Sequence, residues 1–439
     1  LIMKHYLLKA LAKKSKFLNT KSDTRLELND SDNSYSDDSD GSISSDDEFE
    51  VSQDIVYKWY NNRYLAIKYL GKGTFCRTWL MYDIIEFRFV AMKMFFPKYT
   101  EDSKNELNIN KLLKTNEYIV KLLDNFVEND SNCLIYELMG ITLLDVLTIY
   151  DDKIPFNVLK KLLIQVFKGI DELHSQNIIH CDLKPENIMI KQLDVDIKGI
   201  IDIITKLDIK TVYEKMICDN LPTGYADFDK NKKKNVKRKY KKKCMNLLID
   251  IFKTNVESYI DEECELIVDE SDLQCKIIDL GNSEINGSNN DDEIMMRGYR
   301  PPENIMNSFY DEKADIWSMG CIVYELITGD NLFEIDRELN NNEKDCDHLY
   351  QMFTILGKIP KEDALQCEFS DELFDEHGMV LNRKNYEYTS IEEILIKKYD
   401  YSENDSKEIS VFLRKLFDYN IKTRYSAKKL INDEWLINN

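Results

Sequence analysis

Between Tyr64 and Met94, apolar and β-branched residues come in short bursts broken by one glycine turn: Tyr-Leu-Ala-Ile-Lys-Tyr-Leu, then Gly71-Lys72-Gly73, then Thr78-Trp-Leu-Met-Tyr. Such bursts predict strands, joined here as a hairpin with glycines at its tip. Glu101 to Lys114 reads as a helix, and Cys133 to Tyr136 as a short apolar strand. From Asn157 to Ser175 the apolar positions Leu159, Leu162, Leu163, Val166, Phe167, Ile170 and Leu173 recur at helical spacing. That period predicts a helix packed in a core. Further on, 197–212 and 247–259 are amphipathic enough to form docked helices. Strands early and helices late describe an α+β chain.

Two stretches break this pattern. From Ser22 to Glu50 there are eleven Asp or Glu, eight Ser and one Arg, with almost nothing apolar. Such a composition cannot bury a core and predicts a disordered tail over 1–50. Ser36, Ser39 and Ser45, each followed by Asp, resemble sites for acidophilic, casein-kinase-type phosphorylation. Ahead of them, Lys4 to Lys16 with Leu7, Leu8 and Leu11 is a basic, partly apolar stretch whose simplest reading is a disordered end. In the second stretch, 230–243, ten of fourteen residues are Lys or Arg. It reads first as a solvated or mobile insert; a nuclear-import signal and a partner for the acidic tail are the alternatives.

Charge and composition narrow the classes of function. A net charge of −21 disfavours general nucleic-acid binding and suits a basic partner. Ten cysteines lie scattered without paired metal-ligand spacing, and no apolar run is long enough for a bilayer. The expectation is a reducing setting in the cytoplasm, with nuclear entry open through the basic block, no membrane and a monomeric state.

The candidate chemistry is concentrated in His180-Cys-Asp-Leu-Lys-Pro-Glu-Asn187. An Asp with a Lys two residues on and an Asn five residues on can direct three side chains to one point. Asp182 would face a substrate hydroxyl, Lys184 a transferred phosphate and Asn187 a metal ion. Lys93 closes the strand run Val90-Ala-Met-Lys93, and Glu106 lies on the following helix where it can pair with that lysine. Asp279, in Lys276-Ile-Ile-Asp279-Leu-Gly281, comes 92 residues after Asn187. Glu303 after Arg297-Gly-Tyr-Arg-Pro-Pro suits a pair with Arg424, and Asp315 suits the support of the loop through its backbone amides.

Taken in order, these motifs resemble the eukaryotic-type protein kinases from about Asn61 to Leu436. Within the CMGC group they are most similar to the SR-protein kinases, which phosphorylate Arg-Ser-rich proteins. The long interruption before Asp279, Leu280-Gly281-Asn282 after it, and the runs at 328–334, 347–349 and 356–360 carry the likeness. The resemblance implies a two-lobed fold: small lobe 51–139, large lobe 140–190 and 275–439, and a spacer over 191–274. It implies ATP against Leu70, Gly71, Lys72, Gly73, Thr78, Ala91, Lys93, Glu137 and Met139, with Mg2+ on Asn187 and Asp279. Asp182, Lys184, Lys93 and Glu106 would be the catalytic set, Tyr136 would stand beside the pocket, and the substrates would be basic, Arg/Ser-rich proteins. Cys181 replaces the Arg that usually receives an activation-loop phosphate, which implies activity without that modification.

Some residues depart from the family pattern. Cys76 occupies the third glycine position, Met296 stands where a Thr is expected near the substrate, and Pro301-Pro302 is unusual. Asp315, Asp336, Glu338, Glu343, Asp345 and Asp347 are candidates for holding substrate arginines. Two alternatives remain: a LAMMER-type kinase, and a pseudokinase scaffold that binds basic proteins without modifying them.

Overall fold

The computed structural model describes residues 55–114, 117–219, 221–259, 266–287, 294–336, 338–384 and 386–438. The readings of 1–50, including Ser36, Ser39 and Ser45, lie outside the described residues. The chain divides into two compact units.

The larger unit comprises 60–64, 70–194 and 268–439. Its strands begin with β1 (Trp59–Tyr60) and β2 (Tyr64–Lys72), of which Trp59 and the middle of β2, 65–69, fall in the smaller unit, and continue with β3 (Cys76–Asp83), β4 (Arg88–Phe95), β5 (Leu122–Glu128) and β6 (Ser131–Glu137). β3, β4, β6 and β5 are antiparallel neighbours in that order. On β4, Val90 and Met92 are fully buried while Ala91 and Lys93 project from the opposite side, the two-residue alternation of a strand. Helix α1 (Thr100–Leu112) follows β4 and buries Ser103, Glu106 and Ile109.

The helical part is built from α2 (Leu143–Ile149) and α3 (Phe156–His174). The apolar period predicted for α3 is its buried face: Leu159, Leu162, Leu163, Val166, Phe167, Ile170 and Leu173 are all inside. The helix starts and ends one residue earlier than the sequence pattern suggests. Gly169 on this face allows close packing, because a Cβ there would lie 3.0 Å from the Tyr118 carbonyl and 2.9 Å from the Ile277 Cδ1. β7 (Ile178–Ile179) and β8 (Ile188–Ile190) flank the Asp182 loop, and β8 pairs antiparallel with β9 (Cys275–Ile277). The spacer is therefore an excursion between two paired strands. β10 (Glu284–Ile285) pairs with β7.

The smaller unit takes in 195–267, 65–69 and Trp59. Its helices are α4 (Val195–Lys206), α5 (Ile209–Asp219) and α6 (Lys230–Glu257). The single amphipathic stretch expected over 197–212 is two helices. The basic block, first read as a solvated or mobile insert, is the N-terminal half of a 28-residue helix. Its side chains are solvated, but its backbone is ordered by two features. Asp229 caps the N-terminus, accepting from the amides of Asn231 and Lys232. Farther along, Cys244, Met245, Leu248 and Phe252 anchor the second half in a core with Ile197, Ile200 and Ile204 of α4.

After β10 the larger unit resumes with α7 (Pro302–Ile305), α8 (Lys313–Thr328), α9 (Asn341–Leu356), α10 (Lys361–Gln366), α11 (Ser370–Leu373), α12 (Ile391–Tyr399), α13 (Glu403–Leu416), α14 (Ala427–Leu430) and α15 (Glu434–Ile437). Burial on all sides from Ala314 to Ile327 marks α8 as the central helix of this part. No described helix is long and apolar enough to cross a membrane.

Candidate active site

Lys93 is the electrostatic hub. Its Nζ lies 2.7 Å from Glu106 Oε2 and 2.7 Å from Asp279 Oδ1, so one ammonium bridges the sheet, helix α1 and the turn after β9. Burial alone would lower the lysine pKa, but the two carboxylates outweigh it and the group is held firmly charged. Burial works against the Asp279 carboxylate too, yet Lys93 and the Gly281 amide bring its pKa below the usual range. Glu106, almost wholly buried, carries more of the cost: desolvation and the neighbouring Asp279 charge raise its pKa despite Lys93.

The sequence reading did not foresee what steadies Glu106. Tyr136 donates its hydroxyl to Glu106 Oε1 at 2.7 Å, and Asn110 Nδ2 lies 3.1 Å from that hydroxyl. Asn105 ties α1 to the same turn as Asp279, donating to the carbonyls of Gly281 (2.9 Å) and Ser283 (3.1 Å).

The Asp182 loop faces this hub. Lys184 Nζ is 2.9 Å from Asp182 Oδ2, and Asn187 Nδ2 donates to both the Asp182 carbonyl (2.8 Å) and Oδ2 (3.0 Å). Asp315 holds the loop from below: it accepts from the amides of His180 (2.9 Å) and Cys181 (3.2 Å) and meets His174 Nε2 at 2.8 Å. Those contacts keep Cys181 in the left-handed region at φ +61°, which a non-glycine residue rarely adopts. His180 joins the two halves of the site. Its Nε2 lies 3.0 Å from the Ile278 carbonyl, its Nδ1 accepts from the Asp182 amide at 3.2 Å, and the Ile278 amide donates to the Asn187 carbonyl at 2.9 Å.

The nucleotide-side residues fall around this centre. Leu70, Gly71 and Lys72 are the exposed to half-buried end of β2, where a Cβ on Gly71 would meet nothing, and Gly73 opens the turn to β3, so the hairpin tip lies later than the glycine run suggests. Thr78 pairs with Lys93, and Ala91 with Leu80 and Tyr136. Cys76 is buried in an apolar cluster with Phe95, Leu134, Tyr136 and Met139, so the missing third glycine is a core position here. Glu137 is tied down by Lys276 Nζ (2.5 Å) and by the Lys121 amide (2.8 Å), contacts the sequence reading also lacked. Gly140 permits the chain to leave this segment, since a Cβ there would collide with the Gln192 carbonyl at 1.7 Å.

One structural pair matches the sequence reading, and one set requires correction. Arg424 and Glu303 form a fully buried two-pronged ion pair at 2.6 and 2.9 Å. Of the six acidic candidates for substrate arginines, Asp315 is wholly buried under the loop and belongs to its support. Asp345 is paired with Arg297, and Asp347 with Arg383 at 2.9 Å. Asp336, Glu338 and Glu343 remain exposed, although Glu343 also serves the capping box at the start of α9. Met296 is exposed, whereas Met295 is buried beside Cys181.

Among the described residues no three His, Cys, Asp or Glu side chains converge on a metal position. Asp279 and Asn187 offer one carboxylate and one amide, hard oxygen donors too few to enclose an ion. That donor set suits Mg2+ shared with a nucleotide's phosphates and coordinated water.

A strand lysine clasped by a helix glutamate, opposite an Asp–Lys–Asn loop held by a buried aspartate, defines the class: a protein serine/threonine kinase. The protein kinase domain model matches residues 64–204 and 243–436, so the chain belongs to that family, divided by an insert. Its relatives make it SR-protein-kinase-like. It is 27% identical to protein kinase dsk1 of Schizosaccharomyces pombe, over 86% of this chain and 81% of that one. To serine/threonine-protein kinase SRPK of Physarum polycephalum it is 26% identical, with 86% of each covered. For human SRSF protein kinase 3 the identity is 25%, over 86% of this chain and 87% of the relative.

Proposed function

We propose that this kinase phosphorylates serines in basic, Arg/Ser-rich proteins and needs no phosphate on its own activation segment to do so. The name of the human relative, an SRSF protein kinase, supports the substrate class, as do the net charge of −21 and the exposed carboxylates of Asp336, Glu338 and Glu343. These oppose the positive charge of such a substrate.

The observation that carries the second half is the surroundings of Cys181. It packs with Ile179, Ile294, Met295, Ala314 and Tyr310, where a phosphate-binding Arg would otherwise stand. The nearby segment is fastened by other means: the Met295 amide donates to the Cys181 carbonyl at 2.9 Å, and Arg300 donates to the carbonyls of Ile294 (3.1 Å) and Met295 (3.3 Å). Meanwhile Lys93 already engages Glu106 and Asp279, the arrangement that regulated kinases assemble on activation.

In this reading Asp182 accepts the serine hydroxyl proton, Asn187 fixes the carboxylate that does so, and Lys184 offsets the charge beside it. Lys93 binds the α- and β-phosphates, Gly71 and Gly73 allow the backbone to approach them, and Glu137 and Met139 present backbone groups to adenine. Asp279 and Asn187 would hold Mg2+. ATP with Mg2+ supplies the transferable phosphoryl group and screens its charge. The test is Asp182→Asn, which keeps the loop's hydrogen-bonding shape but removes the base. Phosphoryl transfer should fall by at least about 100-fold with the unfolding midpoint near that of the native chain; undiminished turnover would refute the assignment.

A further inference from the structure

Helix α6 exposes a charge pattern that a free helix does not favour. In 230–243 none of the fourteen residues is acidic, and six pairs of cations stand four residues apart, among them Lys230/Lys234, Lys233/Lys237 and Lys237/Lys241. Each such pair disfavours the helix by a few tenths of a kcal/mol. Eight of the ten cations are exposed, while the half-buried Val236 and Tyr240 continue the stripe of Cys244, Leu248 and Phe252. All of the block but Lys243 also lies within 205–242, which the family model leaves unmatched.

The same helix is where the N-terminal segment enters the described structure. Trp59 donates its indole Nε1 to the Met245 carbonyl at 3.0 Å, two residues past the end of the block. Only eight residues separate Glu50 from Trp59. The block spans about 20 Å of helix; residues 55–58 form a turn, and the extended chain from Glu50 to Ile55 reaches about 17 Å. The 29 residues of 22–50 are thus delivered to the block's own end at a local concentration of the order of millimolar. Eleven carboxylates and one Arg give that segment a charge of −10, against +10 on 230–243.

We propose that the acidic segment 22–50 docks along the basic face of α6 in the same molecule, neutralising the cations and stabilising the helix they strain. The docking is electrostatic. It also covers a surface that would otherwise attract polyanions.

Hydrogen–deuterium exchange of the full chain, read over 230–243, tests this against a variant with all eleven Asp and Glu of 22–50 changed to Asn and Gln. At about 0.05 M salt, exchange in the native chain should be about tenfold slower than in the variant. The difference should vanish at about 1 M salt, where the screening length is about 3 Å, and should not depend on protein concentration. The Cys244–Phe252 half serves as the internal control and should exchange alike in both chains. Equal exchange over 230–243 in the two chains overturns the proposal. Protection that grows with protein concentration would assign the contact to a second copy, and protection that appears only on adding a single-stranded DNA oligonucleotide would assign it to nucleic acid; either result also overturns it.

Discussion

Removing the Tyr136 hydroxyl tests how the hub of the site is held. Tyr136 is 7% exposed, and its hydroxyl gives Glu106 a second donor besides Lys93. Tyr136→Phe keeps the ring in its cluster with Phe95, Leu134 and Met139 and removes one oxygen, so packing is nearly unchanged. What is lost is a hydrogen bond to a buried charged group, worth about 1.5–3 kcal/mol. A donor to a carboxylate favours its ionised form, so without it the already raised pKa of Glu106 moves further up. Ionised Glu106 is what keeps Lys93 in place, so activity should be lost at a higher pH than in the native chain. Urea unfolding should show the stability loss, and the acid limb of kcat/KM for ATP should shift upward. Equal unfolding midpoints with superimposable pH profiles would refute the claim that Tyr136 supports the Lys93–Glu106 pair.

Two further predictions use other parts of the fold. His348 is wholly buried on α9 against Phe333, at 4.9 Å between ring centroids, and burial pushes its pKa from 6.5 down to about 3. The unfolded chain takes up that proton and the folded chain does not, so stability falls as pH drops from 6.5 toward 3, by on the order of 3 kcal/mol at about pH 4.5. His348→Met should remove that share of the acid sensitivity. Glu325, raised to about 7 mainly by burial, changes stability in the opposite direction over 4.5 to 7 and cancels in the comparison. If urea unfolding at about pH 7 and 4.5 shows the same acid loss in both chains, the buried imidazole is not its cause. Separately, because Cys181 stands where a phosphate-receiving Arg would otherwise stand, phosphatase treatment should leave turnover unchanged; a marked loss would contradict activity without an activation-segment phosphate.

The sequence made some layers of this site legible and concealed others. Lys93, Asp182, Lys184, Asn187 and Asp279 sit in short runs whose order and residue types are demanded by phosphate and metal handling, so they could be read without coordinates. Helix α3 was legible because its apolar period is unbroken. Contacts between residues far apart in the chain left no local trace: Tyr136 with Glu106, Lys276 with Glu137, and His174 with Asp315, 141 residues away. Charge misled twice. Asp345 and Asp347 resemble surface acids in sequence but serve ion pairs with Arg297 and Arg383. The basic block reads as solvated chain because ten cations hide the weak stripe that continues into the anchored half of α6.

Substrate preference tests the central claim most directly. With Mg-ATP and two peptides matched in length, one built on Arg-Ser repeats and one on Ser-Pro, the account predicts clear preference for the Arg-Ser peptide, abolished with all other turnover by Asp182→Asn. Preference for the Ser-Pro peptide would contradict the assignment to Arg/Ser-rich substrates, and no phosphorylation of either would contradict the reading of the site as an active phosphotransferase.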